Sequence, residues 1–131
     1  MSEPKVYISY SRGDIEWVRQ FADALRKRDV DVWLDDWQVE PSDLWQEEIE
    51  ASLRSSDAIV SILTAENAQS PELFADLGMA LGLGKPLIPI VSAELESSAI
   101  PAAFRSRQYV MRGEPDEAAR EVAEAVKRRA A

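Results

Sequence analysis

Short β-rich apolar runs alternate with helix-period segments along the whole chain, and this alternation restricts the fold more than any other feature. Lys5 to Tyr10 (KVYISY) precedes a segment where Trp17, Val18, Phe21 and Leu25 recur at helical spacing, with Asp14 placed to cap it. Val30 to Leu34 (VDVWL) reads as the next strand. A loop from Asp35 to Asp43, broken by Pro41, leads into a helix where Asp43 and Gln46 suit a capping box. Trp45, Ile49 and Leu53 form its apolar stripe. Ala58 to Leu63 (AIVSIL) is short and apolar, as a strand buried on both faces should be. Ser70 then reads as an N-cap and Pro71 as the first residue of a helix that closes at Gly82 or Gly84. Leu87 to Val91 (LIPIV) is a further strand, and Pro89 removes one ladder donor, so a pairing irregularity is expected there. Ser92 to Arg107 is loop-like with one helical turn, and Tyr109 to Met111 is a weak edge strand. Pro115 and Asp116 open a last helix running through Val122 and Val126.

Strands alternating with helices predict an α/β domain of flavodoxin-like type, a parallel sheet covered by helices on both faces. The 131 residues, 46% of them hydrophobic, suffice for one domain spanning 1–131. No repeat, low-complexity stretch or second boundary interrupts them. No apolar run approaches the roughly 18 residues of a membrane span, and Met1 to Lys5 lacks the apolar core of a signal peptide. The chain has no cysteine and no histidine. Disulfides and thiolate metal sites are therefore excluded, as are the commonest general base and metal ligand. The expected setting is the cytoplasm, with no membrane partner and no bound metal. The net charge of −9, from 15 basic and 24 acidic residues, argues against a nucleic-acid partner. The dense basic clusters, Arg26-Lys27-Arg28 and Lys127-Arg128-Arg129, each close a helix, where cations complement the helix dipole.

Three groups of residues stand where chemistry is expected. Asp76 lies near the start of the Ser70 helix, just past a strand, and in an open α/β sheet that region borders the ligand crevice. A carboxylate there can act on a sugar ring or simply be solvated. Glu72 lies one turn earlier, where both side chains can share a face, so it substitutes for Asp76, assists it, or serves as a first-turn acid favoured by the dipole. Ser9, Tyr10, Ser11, Arg12 and Asp14 follow the first strand. Arg12 can pair with a phosphate or a carboxylate; alternatively, Ser11 and Asp14 only cap the helix while Arg12 is solvated. Asp35, Asp36 and Trp37 end the second strand, where paired acids hold a cation or ribose hydroxyls, or serve as turn residues. Trp17, Trp33 and Trp45 read as core, whereas Trp37 is exposed enough to stack on an adenine or a partner. No GxGxxG or P-loop string is present.

The details narrow the family. Val6-Tyr7-Ile8-Ser9-Tyr10-Ser11-Arg12-Gly13-Asp14, then Trp17-Val18, resembles the opening of bacterial-type Toll/interleukin-1 receptor (TIR) domains. So does Val32-Trp33-Leu34-Asp35-Asp36-Trp37, followed by Trp45, Ile49 and Ser56-Asp57-Ala58-Ile59-Val60. Ser70 to Gly82, then Gly84-Lys85-Pro86-Leu87-Ile88-Pro89-Ile90, resembles the family's third helix and fourth strand. The resemblance runs from Lys5 to Met111 and implies strand order 2-1-3-4-5. It further implies cleavage of the nicotinamide–ribose bond of NAD, often as an effector of anti-phage defence, or else a module that makes TIR–TIR contacts. NAD would be a substrate; no cofactor is implied. Enzymatic relatives place a Glu on the third helix, where its charge stabilises an oxocarbenium-like centre. They also bind the ribose and phosphates near the first loop.

The chain departs from that pattern. Asp76 stands where the family has Glu, and Glu72 stands where an aromatic residue is common. Aspartate is one methylene shorter, and a misplacement of about 1 Å can cost roughly a hundredfold in rate. The loop Trp37 to Leu44 corresponds to the family's BB loop, which closes the pocket and contacts a neighbouring TIR domain. Pro41-Ser42 replaces its frequent Pro-Gly, removing easy access to positive φ. Trp37, Pro41, Ser42 and Leu44 are thus the expected contact residues. Leading expectations are an assembly-activated NAD glycohydrolase, then a non-catalytic TIR interaction module, then a nucleoside 2-deoxyribosyltransferase-like enzyme. A separate sensor protein is expected as a further partner.

Overall fold

A computed structural model describes residues 3–34, 43–65, 71, 78, 80–95 and 109–130. Its strands are β1 (Lys5–Ser9), β2 (Asp31–Leu34), β3 (Ala58–Leu63), β4 (Leu87–Val91) and β5 (Val110–Met111). They form one sheet in the order β2-β1-β3-β4-β5, and every pairing is parallel. The order reverses between β1 and β3, the switch point of a doubly wound sheet. The expected fold class, strand order and strand positions agree with this, to within one residue at each end.

Helix α1 (Ile15–Lys27) and the C-terminal helix (Pro115–Ala130) cover one face. Val18, Phe21, Ala22 and Leu25 of α1 meet Ala118, Ala119, Val122 and Val126 over Val6, Ile8, Val60, Ile62 and Ile90, all buried. The basic clusters tie these two helices together. Arg28 pairs with Asp116 at 3.5 Å, and Lys127 Nζ donates to the Arg28 carbonyl at 2.6 Å. Both contacts are surface ones and contribute little to stability.

The opposite face is built from Tyr7, Ile59, Leu63, Leu87 and Val91 with Leu53 of α2 (Asp43–Ser55), Ala80 and Leu95. The Tyr7 ring stacks on Trp33 at 5.0 Å. Ser9 and Ser61 lie side by side in the register of β1 and β3, and both are fully buried. Because side chains alternate along a strand, they share the Tyr7–Ile59 face. The Ser61 hydroxyl has no hydrogen-bond partner among the described residues.

Two helix ends show how local rules set the chain's path. Gly84 sits at φ 68°. Its amide donates to Leu81 O, and that of Lys85 donates to Ala80 O, the Schellman pattern expected at a glycine. Helix α1 ends the same way, with Asp29 N–H to Arg26 O and Val30 N–H to Leu25 O. Here Asp29 occupies the left-handed position at φ 63°, which aspartate tolerates better than most side chains.

The irregularity expected at Pro89 does not occur in its pairing with β3. Pairing of β3 with β4 runs unbroken through Ser61 and Pro89. Ile59 N–H donates to Pro86 O, and Ser92 N–H donates to Leu63 O. In a parallel ladder this turns the amides of residues 88, 90 and 92 towards β3 and those of 89 and 91 towards β5. The missing donor therefore faces β5, whose pairing starts one residue later, at Ile90 and Val110. Among the described residues, no helix is long and apolar enough to cross a membrane.

Candidate functional site

The carboxyl ends of the strands converge on a groove of about 540 Å³, within the size range of small-molecule sites. Ser11, Gly13, Asp14 and Trp17 line it from the β1 end, and Thr64 and Ala65 from β3. Ser92, Ala93 and Glu94 line it from β4, and Arg112 and Gly113 from β5. Thr64, Ser92 and Arg112 are each the first residue beyond their strand, where open α/β sheets bind their ligands. A second hollow, about 350 Å³, lies between α1 and the start of the C-terminal helix, away from the strand ends.

Backbone geometry explains how the lining is held. The amides of Ser92 and Arg112 donate to Leu63 O and Val91 O, extending the ladder one residue past β4 and into the β5 exit. Ser92 Oγ accepts from Glu94 N–H at 3.4 Å, a local turn that keeps Glu94 at the rim. Arg12 to Asp14 form a short 3-10 turn, closed by Asp14 N–H to Ser11 O at 2.9 Å.

Asp14 occupies the N-cap position of α1 but makes no side-chain cap bond. This corrects the capping role expected of it. Its carboxylate instead accepts from Arg112 Nη1 at 2.7 Å. The pair's side chains are only 14% and 22% exposed, whereas each other described ion pair has a partner at least half exposed. The guanidinium lies 4.9 Å from the Trp17 ring centroid, a cation–π distance. Trp17 in turn donates from Nε1 to Gly113 O at 3.0 Å and stacks on Phe21 at 5.1 Å. Trp17 is thus half-buried and part of the groove wall, where pure core was expected. One ion pair, one ring and one carbonyl lock the β1 loop to the β5 exit.

Of the residues singled out from sequence, Ser11 and Asp14 line the groove. Ser9 and Tyr10 are buried beneath it, on opposite faces of the sheet. Arg12 lies in the 3-10 turn, its side chain outside the described residues. Leu44 falls in the first turn of α2, again without a described side chain. Asp36, Trp37, Pro41, Ser42, Glu72 and Asp76 lie outside the described residues. Thr64, Ser92, Glu94 and Arg112 were missed. Their signal was positional: each sits just past a strand on the ligand side of the sheet. Among the described residues, no group of three or more acidic side chains is placed to hold a metal ion.

Comparison with known proteins gives a consistent picture. The TIR domain family profile matches residues 6–126. No curated protein matches the chain significantly in sequence. Among solved structures, the TIR domain of the Toll-related receptor TRR-2 from Hydra magnipapillata superposes with TM-score 0.69 at 19% identity, covering 95% of each chain. A CMP N-glycosidase, BcmB, from Clostridium botulinum gives TM-score 0.67 at 13% identity, over 92% of this chain and 98% of that one. A metazoan TIR-STING receptor from C. gigas, solved with 2',3'-cGAMP, gives TM-score 0.74 at 14% identity. That match takes in 92% of this chain but only 38% of the receptor. At these identities the likeness establishes the fold alone.

Proposed function

The chain belongs to the TIR-domain family, and from that membership and the polar groove at its strand ends we propose that it is a NAD glycohydrolase. It breaks the nicotinamide–ribose bond, releasing nicotinamide and an ADP-ribose product. The observation that carries this reading is the groove itself. It spans the switch point of the sheet, is large enough for part of a dinucleotide, and is lined, among the described residues, by hydroxyls, two carboxylates and one guanidinium. A CMP N-glycosidase shares the scaffold, so this architecture is compatible with breaking a nucleotide's glycosidic bond.

The chemistry needs little from the protein. As the bond breaks, its electron pair stays with the pyridinium nitrogen, so nicotinamide leaves neutral and the positive charge passes to the ribose; water then adds at the anomeric carbon and gives up a proton to solvent. A carboxylate beside that centre stabilises it electrostatically. We assign this role to Asp76, with Glu72, four residues earlier in the sequence, as its assistant. Ser11 and Arg12 are proposed to hold the ribose and phosphates, together with Asp36 and Trp37, whereas the Asp14 carboxylate is taken up by Arg112. The domain works as a cytoplasmic effector when it associates with other TIR domains through Trp37, Pro41, Ser42 and Leu44, on a signal from a separate sensor.

The shorter acid at position 76 specifically favours a second reading, a non-catalytic TIR interaction module. Incubating the concentrated protein with NAD and following nicotinamide release separates the two. Release that depends on protein concentration supports the assembled enzyme. Absence of release across the whole concentration range leaves the interaction module.

A further inference from the structure

We infer that Arg112 is a phosphate-binding residue, and that the groove takes the diphosphate of a nucleotide at the exit of β5. The inference rests on the reading of the groove as a nucleotide site; it does not depend on bond cleavage.

Arg112 is the one cationic side chain among the described residues lining the groove. It is positioned from three sides. Its backbone amide is fixed to Val91 O, its guanidinium lies over Trp17, and Nη1 is held by Asp14 at 2.7 Å. That contact uses a single N–H of a group that carries several in a fixed planar fork. The remaining donors belong to a side chain that is 22% exposed and borders the cavity. A guanidinium already ordered and partly desolvated loses little further entropy when it engages a phosphate, and its fork matches phosphate oxygens bidentately. Ser11, Thr64 and Ser92 line the same groove, hydroxyl residues suited to the neutral parts of a ribose phosphate.

The acids of the groove set the terms. Asp14 competes with the ligand for Arg112, and Glu94 adds a second negative charge to the rim. A phosphate must therefore share the guanidinium with Asp14 or displace it. This yields a sign test. If the Asp14–Arg112 pair only staples the β1 loop to β5, breaking it from either side will damage the groove alike. If Arg112 binds phosphate, the two sides respond oppositely.

The experiment is calorimetric titration of the whole chain with ADP, inorganic pyrophosphate and adenosine. Arg112→Gln is expected to weaken ADP binding by roughly ten- to a hundredfold, the range for a lost charged hydrogen bond. Asp14→Asn is expected to tighten ADP binding severalfold by releasing the cation. Adenosine binding should change with neither, and pyrophosphate should compete with ADP for the wild type. Arg112→Lys, which keeps the charge but loses the fork, should fall between and provides the reading should Arg112→Gln fail to fold. ADP affinity indifferent to Arg112, or lowered equally by Asp14→Asn and Arg112→Gln, would overturn the inference, as would a wild type that binds neither ADP nor pyrophosphate. Arg112-dependent ADP binding in a protein that never cleaves NAD would retain the phosphate site and discard the glycohydrolase. NAD cleavage with KM unchanged in Arg112→Gln would do the reverse.

Discussion

The two faces of the sheet differ in what they bury. Under α1 and the C-terminal helix, the described contacts are Val, Ile, Leu, Phe and Ala almost throughout. On the other face, the same strands present a tyrosine, a stacked tryptophan and two fully buried serines, Ser9 and Ser61. A parallel strand covered on both sides is expected to be apolar on both. The first face obeys that rule and holds the fold together. The second departs from it beside the switch point, and buried polar atoms there cost stability unless something satisfies them. Stability and polar chemistry are thus divided between opposite faces of the same strands, and the groove sits where they meet.

This contrast can be broken by substitution. The largest effect is expected on the apolar face. Phe21 is fully buried there, so Phe21→Ala should cost about 3–5 kcal/mol, read from urea unfolding. A loss below about 1 kcal/mol would mean that this face is not the main source of stability.

A smaller effect is expected where this face meets the groove. Trp17→Phe keeps the ring stack on Phe21 but removes the Nε1 donor to Gly113 O and weakens the cation–π contact with Arg112. The expected loss is about 1–2 kcal/mol, by the same unfolding measurement. An unchanged midpoint would show that the lock between the β1 loop and the β5 exit contributes nothing.

The smallest effect, of opposite sign, is expected on the polar face. Ser61→Ala deletes a buried hydroxyl that has no partner among the described residues, and should raise stability by about 0.5–1 kcal/mol, seen as a higher Tm. A lower Tm would show that this hydroxyl is satisfied, and that the two faces differ less in what they bury.

Legibility in the sequence followed the same division. Valine- and isoleucine-rich runs marked β1 to β4, and the spacing of Trp17, Val18, Phe21 and Leu25 marked α1, because both periodicities are imposed by burial. Gly84 marked a helix end because few other residues adopt its φ readily. The site was harder to read. Asp14 looked like a cap, since the pattern of a cap is local, whereas its actual partner Arg112 is 98 residues away. Thr64, Ser92 and Glu94 carry no periodic signal, and only the sheet's topology brings them together. Pro89 looked disruptive because sequence does not reveal which neighbour an amide faces. Position past a strand singled out Asp76, and the resemblance to TIR domains gave Asp76 and Glu72 their expected role at the ribose.

NAD cleavage by this TIR domain, with a carboxylate one methylene short, is the proposal on which the functional reading depends. Its most direct test is the rate of nicotinamide release by concentrated wild type, Asp76→Ala and Asp76→Glu, each checked for an unchanged Tm. The expected result is slow release by the wild type, none by Asp76→Ala, and a rate raised by Asp76→Glu, by as much as roughly a hundredfold if reach alone is limiting. Release that is unchanged in Asp76→Ala, or absent from all three proteins, would contradict it.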